Sequence, residues 1–326
     1  MRAKTRRIAA ALVFAGLTGC GGPSDKDGGK DTGTETETHD TGSGSETSEN
    51  TDTVTDTDTH PPDTDLVTWV TLQGGSFKQG SSQGEQINYD ETPAHQVSLK
   101  GFEIMKNEVT VAQYRACVVS NVCTEPDKGE GCNWGVAGRA EHPINCVDEY
   151  QAEKFCAWVD GRLPSESEWE YAARSGGKEP KIHPWGEDKP TCERAVMTDE
   201  KGVDGCGLNH TWPVCSKPLG NTEQGLCDMG GNVDEWMPDW YRWSYNGAPT
   251  DGSVWDDPTD ADSKVIRGGE FSAPVNDVTT RGRYYWVPFA RPPIIGFRCA
   301  RPLSADQDAG MDSGLDAGSK GTRASR

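Results

Sequence analysis

The order of apolar and polar positions divides the chain into a sparse N-terminal fifth, a patterned middle and a loop-rich remainder. Val67 to Leu72 alternates with period two and predicts a strand ending at the turn Gly74-Gly75. His95 to Glu103 predicts a second strand. Thr110 is placed to cap a helix that buries Val111, Tyr114, Cys117 and Val118. Asp148 with Gln151 resembles a capping box, and Ala152, Phe155, Cys156 and Val159 then share one face until Gly161. Ser165 with Glu168 predicts a third helix through Trp169, Ala172 and Ala173, stopped by Gly176-Gly177. Beyond residue 180 no long periodic run remains, so long loops pinned by disulfides and bound ions are expected there rather than regular layers.

The ends carry a different pattern. Arg2, Lys4, Arg6 and Arg7 precede a ten-residue apolar run, Ile8 to Leu17, too short to span a bilayer. This predicts a signal peptide over 1–20. Leu17-Thr18-Gly19-Cys20 resembles a bacterial lipobox, which implies lipidation of Cys20. The expected location is the bacterial cell envelope, with the outer membrane favoured, and the expected membrane contact is that lipid anchor. Residues 21–65 hold 13 acids, two Lys and 12 Thr, with Val54 as their one aliphatic side chain. Such a stretch cannot bury enough apolar area to offset its ordering entropy, so a disordered tether is expected. The tail over 303–326, with its Asp-Ala-Gly and Asp-Ser-Gly repeats, is expected to be disordered as well. Residues 66–302 remain as one domain of ordinary size.

Charge and cysteine content narrow the function classes. The chain carries 32 basic and 52 acidic residues, a net charge of −20, which argues against nucleic acid as a partner. Ten of the 11 Cys lie in the core, an even number that fits up to five disulfides in an oxidising compartment. There is no C-x-x-C and no paired His, so zinc is not expected. His95, His142, His183 and His210 are scattered and read as structural.

Several short runs, in order, resemble one known family. They include Gly74-Gly75-Ser76-Phe77, Glu91-Thr92-Pro93-Ala94-His95, Asn107-Glu108-Val109-Thr110 and His142-Pro143-Ile144-Asn145. They continue with Gly161-Arg162-Leu163-Pro164-Ser165-Glu166-Ser167-Glu168-Trp169-Glu170, Pro184-Trp185-Gly186 and Gly225-Leu226-Cys227-Asp228-Met229-Gly230-Gly231-Asn232-Val233-Asp234-Glu235-Trp236. Arg267-Gly268-Gly269 and Gly296-Phe297-Arg298-Cys299 complete the set. The resemblance is to the sulfatase-modifying-factor, or formylglycine-generating-enzyme-like, family, and it covers essentially the whole core. It implies an irregular, loop-rich α+β fold related to C-type lectins, with little regular secondary structure.

The same resemblance implies site residues. A structural calcium ion is expected at Asp228 and Glu235 through side-chain oxygens, and at Gly231 and Val233 through backbone carbonyls. A second family calcium site, between Pro184 and Gly207, is not expected, because Cys192-Glu193-Arg194 departs from the pattern. A family disulfide implies pairing of Cys156 with Cys299. For the other eight Cys, Cys117 with Cys132 and Cys206 with Cys215 are local guesses among 105 pairings. The family oxidase binds copper through two Cys that follow the Arg-Gly-Gly turn. Here those positions hold Ala273 and Val278, so no catalytic residue and no copper are expected.

Three function readings follow. The first is an anchored, non-catalytic binding module for a peptide, glycan or protein. Its candidate ligand surface is Glu270, Arg281, Arg283, Tyr284, Tyr285 and Trp286, near Phe289 and Arg291. The second is an enzyme of the family with another chemistry in the same cleft, using Glu270 and Asp277 with His183 or His210. The third is a structural envelope protein without a small ligand.

Overall fold

The computed structural model describes residues 66–82, 88–178 and 181–303. The expected signal peptide, Cys20, the tether 21–65 and the tail past Leu303 lie outside the described residues.

All three predicted helices form, and each starts on a complete capping box. Thr110 caps α1 (Val111–Val119), Asp148 caps α2 (Glu149–Trp158) and Ser165 caps α3 (Glu166–Ala173). In each, the cap side chain accepts the N–H three residues on, while Gln113, Gln151 or Glu168 reaches back to the cap's own N–H. Two orphan donors of the first turn are satisfied at once, which is why these short helices hold their starts. The N–H groups of Gly176 and Gly177 close on the Tyr171 carbonyl after α3.

Strands β1 (Trp69–Leu72) and β2 (Gly75–Gln79) flank the Gly74 turn as expected. The stretch His95 to Glu103, expected as one strand, is two: β3 (His95–Leu99) and β4 (Phe102–Met105). The chain breaks at Lys100-Gly101 because two backbones pass there. A Cβ on Gly74 would sit 2.6 Å from the Leu99 carbonyl oxygen, and one on Gly101 would sit 2.6 Å from Leu303 Cδ1. β3 then pairs with β2, whereas β4 lies between β1 and β9 (Ala300–Pro302).

The region after residue 180 is more regular than its sequence predicts. Strands β5 (Asp234–Trp240), β6 (Lys264–Arg267), β7 (Tyr284–Trp286) and β8 (Ile295–Gly296) form a four-stranded sheet in the order β7-β6-β5-β8. Only the β5–β8 pair is parallel. This sheet escapes the period-two test because charged residues on it are buried. All four residues of β6, Lys264 to Arg267, are buried, and so are Asp234 and Glu235 of β5.

Apolar clusters pack on both sides of this sheet. One joins α1 and α2 to Ile266, Tyr284 and Phe297. The other joins Trp169 and Tyr171 of α3 to Val265 and Met237. Cys156 on α2 is bonded to Cys299 just before β9. The remaining described Cys pair locally as 117–123, 132–146, 192–206 and 215–227, so the guesses 117–132 and 206–215 are wrong. The sequence offers only spacing, whereas the folded loops decide which sulfurs meet.

Candidate functional site

Buried ion pairs tie the helices to the four-stranded sheet. Glu170 of α3 takes Arg174 at 2.6 Å and also Arg267 of β6. Burial raises the Glu170 pKa, but the two guanidinium groups outweigh it and hold the carboxyl below its usual range. Glu166 accepts two bonds from Arg283, at 2.6 and 2.9 Å, and the Tyr245 hydroxyl at 3.1 Å. Arg283 also donates to the carbonyls of Asp90 and Arg242, at 2.8 Å each. Nearby, Glu235 of β5 accepts the Trp169 indole N–H at 3.0 Å and three bonds from Arg298 at 2.8–3.0 Å.

The Gly-Asn-Val loop leads into β5. Asp228, Gly231 and Asn232 all take left-handed backbone conformations, with φ of 55°, 91° and 69°. A Cβ on Gly231 would lie 2.6 Å from the Val196 carbonyl oxygen, so both space and conformation require glycine there. Asp228 is buried and accepts the Cys215 N–H at 2.6 Å. Burial pushes its carboxyl up to about 6, opposed by the Cys215 bond and by Arg298, while the charge of Glu235 adds to the rise. Beside it, burial together with Asp228 and Glu235 raises Glu108 well above the carboxylate range. Glu108 accepts the Asn232 amide at 2.6 Å and the Val233 N–H at 3.2 Å.

Three buried carboxylates therefore share Arg298 as their common cation. The donors are oxygens and the local charge is in excess, which fits a hard cation. Glu235 is also the acceptor for Arg298, so any ion there would share that carboxylate. Among the described residues no three His, Cys, Asp or Glu side chains converge as a ligand group. Two carboxylates with two carbonyls remain the expected set. Sequence reading had not given Glu108 this place, although it stands inside a quoted family run.

The strip after Arg267-Gly268-Gly269 is packed shut. Ala273 and Val278 are both fully buried and cluster with Ala195 and Met197, against Trp185. The His183 ring nitrogen Nδ1 meets the Val278 carbonyl at 2.5 Å, and the ring stacks on Trp185 at 5.2 Å. Glu270 turns onto its own loop, where it accepts the Ser272 N–H and, at 2.9 Å, the Ser272 hydroxyl. Beside the strip is a recess of about 490 Å³ lined by Thr191, Glu193, Met197, Asp199, Glu200 and Lys201.

The expected ligand surface lies mostly inside the protein. Glu270, Arg281, Arg283 and Tyr284 are buried, and Arg283 is part of the ion lattice. Tyr285 and Trp286 keep partial exposure. Arginines in a loop-rich stretch read as surface, but here buried carboxylates on α3 draw one of them inward. Arg291 instead pairs with Asp148 and Asp127 at 2.7 and 2.9 Å, while Phe289 stands exposed. Exposed Trp243, missed in the sequence, packs edge-on against Tyr285 at 5.5 Å. Its signal was the aromatic run Trp240-Tyr241-Arg242-Trp243-Ser244-Tyr245. Among the described residues the histidines stay dispersed, apart from His142 and His210, whose rings meet each other at 5.8 Å. Burial, with Arg139 and His210, lowers His142 to about 4.

Residues 55–303 match the family described as the sulfatase-modifying factor enzyme 1-like domain. The chain is 31% identical over 260 residues to the serine/threonine-protein kinase Pkn1 of Chlamydia trachomatis, a match covering 74% of this chain but 39% of that protein. It is 30% identical over 296 residues to the formylglycine-generating enzyme of Streptomyces coelicolor, covering 75% of this chain and 90% of that enzyme. Among solved structures, PvdO from Pseudomonas aeruginosa matches with a TM-score of 0.62 and 32% identity, over 72% of this chain and 94% of that one. With the family's runs seated in one α+β core, the chain belongs to the sulfatase-modifying-factor family.

Proposed function

We propose that this chain is an envelope-anchored binding module of the family, without copper oxidase chemistry. One observation carries the reading: the described part of the strip has no thiol to offer. Ala273 and Val278 fill it, and all ten described Cys are in disulfides. Neither an alanine nor a valine side chain can ligate Cu(I) or pass electrons. The lipobox at Cys20 and the acidic tether support tethering to the bacterial envelope, with the outer membrane favoured.

Calcium belongs to this proposal as a structural ion. Asp228 and Glu235 would hold it with the carbonyls of Gly231 and Val233, and its charge would neutralise the buried acids of that loop. The recess beside the strip favours a second reading, an enzyme of other chemistry, because its volume suits a small ligand. Against that reading, Glu270 is committed to Ser272.

Metal analysis, Cu(I) titration and a formylglycine assay on a Cys-containing peptide test the proposal. About one calcium per chain, no tight copper and no product is the expected result. Tight copper with turnover would overturn it.

A further inference from the structure

The five described disulfides differ in access. Both residues of Cys117–Cys123, Cys132–Cys146 and Cys156–Cys299 are buried, and Cys215–Cys227 has one buried member. Among the described bonds, Cys192–Cys206 alone has both residues half-exposed. Cys206 stands between Gly205 and Gly207, so neither neighbour carries a side chain that could cover the bond. A Cβ on Gly207 would meet nothing closer than the Asp199 carboxylate, at 3.8 Å, so that side of the bond is open.

Cys192 also lines the recess of about 490 Å³ beside the strip. Thiol–disulfide exchange needs a thiolate to reach one sulfur of the bond, and access selects which bond is taken. A recess of this volume admits a small thiol or the tip of a peptide. It is lined by Glu193, Asp199 and Glu200 against Lys201 as its one cation. Arg194 is committed elsewhere, to Asp188 at 2.7 Å and the Leu219 carbonyl at 3.1 Å. The acidic balance repels an anionic thiol and draws in a cationic one.

The bond closes a loop that covers the strip, across 14 residues of sequence. Inside that loop the Thr198 N–H donates to the Ala273 carbonyl at 3.0 Å and the Gly205 N–H to the Phe271 carbonyl at 2.7 Å. Ala195 and Met197 of the same loop pack on Ala273 and Val278. The Cys206 N–H donates to the Met197 carbonyl at 2.8 Å, so the disulfide sits at the base of this cover.

We infer that Cys192–Cys206 is a thiol–disulfide exchange site, and that its reduction by a dithiol partner loosens the cover over the strip. The partner's thiolate attacks Cys192 Sγ and forms a mixed disulfide, while Cys206 leaves as a thiolate and takes a proton from water. The resulting S–H has the Ala195 carbonyl oxygen 3.3 Å away as its acceptor. The partner's second thiolate then attacks its own sulfur in the mixed bond, and Cys192 leaves and is protonated in turn. The partner dithiol ends as a disulfide, and two electrons and two protons have passed to the Cys192–Cys206 pair. This site stands apart from the binding-module reading, since it needs neither a bound ligand nor oxidase chemistry.

The test uses the full oxidised chain, with any free thiol first blocked by N-ethylmaleimide. Newly released thiols are trapped with iodoacetamide during mild reduction by 2-mercaptoethanol and mapped by mass spectrometry. Cys192 and Cys206 are expected to be labelled about tenfold faster than any other pair. At equal thiolate concentration, cationic cysteamine is expected to reduce the bond about threefold faster than anionic mercaptoacetate. That ratio should shrink in about 0.5 M salt and in the double variant Glu193→Gln, Glu200→Gln. In the double variant Cys192→Ser, Cys206→Ser, the Thr198 and Gly205 amides should exchange hydrogen about tenfold faster, with those of β5 and β6 unchanged. If that variant fails to fold, the same amides are read in the wild-type chain after selective alkylation. First labelling at another pair, mercaptoacetate as fast as cysteamine, or unchanged exchange at Thr198 and Gly205 would each overturn the inference.

Discussion

The charged core around α3 and the pair Ala273 and Val278 in the strip after Gly269 are both buried but built from opposite chemistry. In the core, Glu166, Glu170 and Glu235 are each met by an arginine. In the strip, Ala273 and Val278 meet Ala195 and Met197 through dispersion and burial alone. The core therefore depends on partners arriving together, and removing one strands the other. The strip depends on volume, which tolerates change. The family's most recognisable runs fall in the first region, and its oxidase chemistry belongs to the second. Keeping the signature therefore does not by itself require keeping the reaction.

Truncating a partner in the core should have the largest effect. Arg283→Ala leaves Glu166 buried without its bidentate donor and is expected to cost about 3–5 kcal/mol in chemical denaturation. Val278→Ala in the strip is expected to cost about 1–2 kcal/mol, at the level of two buried methyl groups. Equal losses would break the comparison.

The Cys156–Cys299 bond joins the helical side to the last strand across 143 residues of sequence. Replacing both Cys by Ala is expected to lower stability by about 3–5 kcal/mol, because so long a loop regains its closure entropy when unfolded. A loss below about 1 kcal/mol would show that the ion lattice alone holds β9 in place.

The pH dependence sharpens the same contrast more gently. Burial and then the charge of Glu166 push Asp239 up to about 7, against the N–H groups of Trp255 and Glu166 and against Arg283. Its folded pKa lies above its unfolded one, so the folded state binds more protons between about pH 4 and 7. That contribution is fully present below about pH 4 and lost as pH rises through about 7, on the order of 4 kcal/mol. His142, lowered to about 4, acts with the opposite sign. Denaturation of wild type and Asp239→Asn at pH 4.5 and 7.5 isolates the carboxylate, and the variant should show the flatter dependence.

The helices were legible because their starts are local chemistry. Thr110 with Gln113, Asp148 with Gln151 and Ser165 with Glu168 satisfy each other within one turn, and the structure shows all three boxes closed. The four-stranded sheet was not legible, since Lys264, Arg267 and Glu235 sit where alternation would place apolar residues. The ligand surface was misread for the same reason. Arg283 looks like a surface cation until Glu166, 117 residues away, is brought to 2.6 Å.

The sequence by itself determined the family, the helix starts and the even count of core Cys. These depend on residue identity or on neighbours a few positions apart. The tertiary structure decided which Cys pair, which charges are buried, and that Trp243 rather than Arg283 faces outward. Those outcomes depend on groups distant in sequence that meet only after the chain has closed, and a buried charge is tolerated only once its partner has arrived.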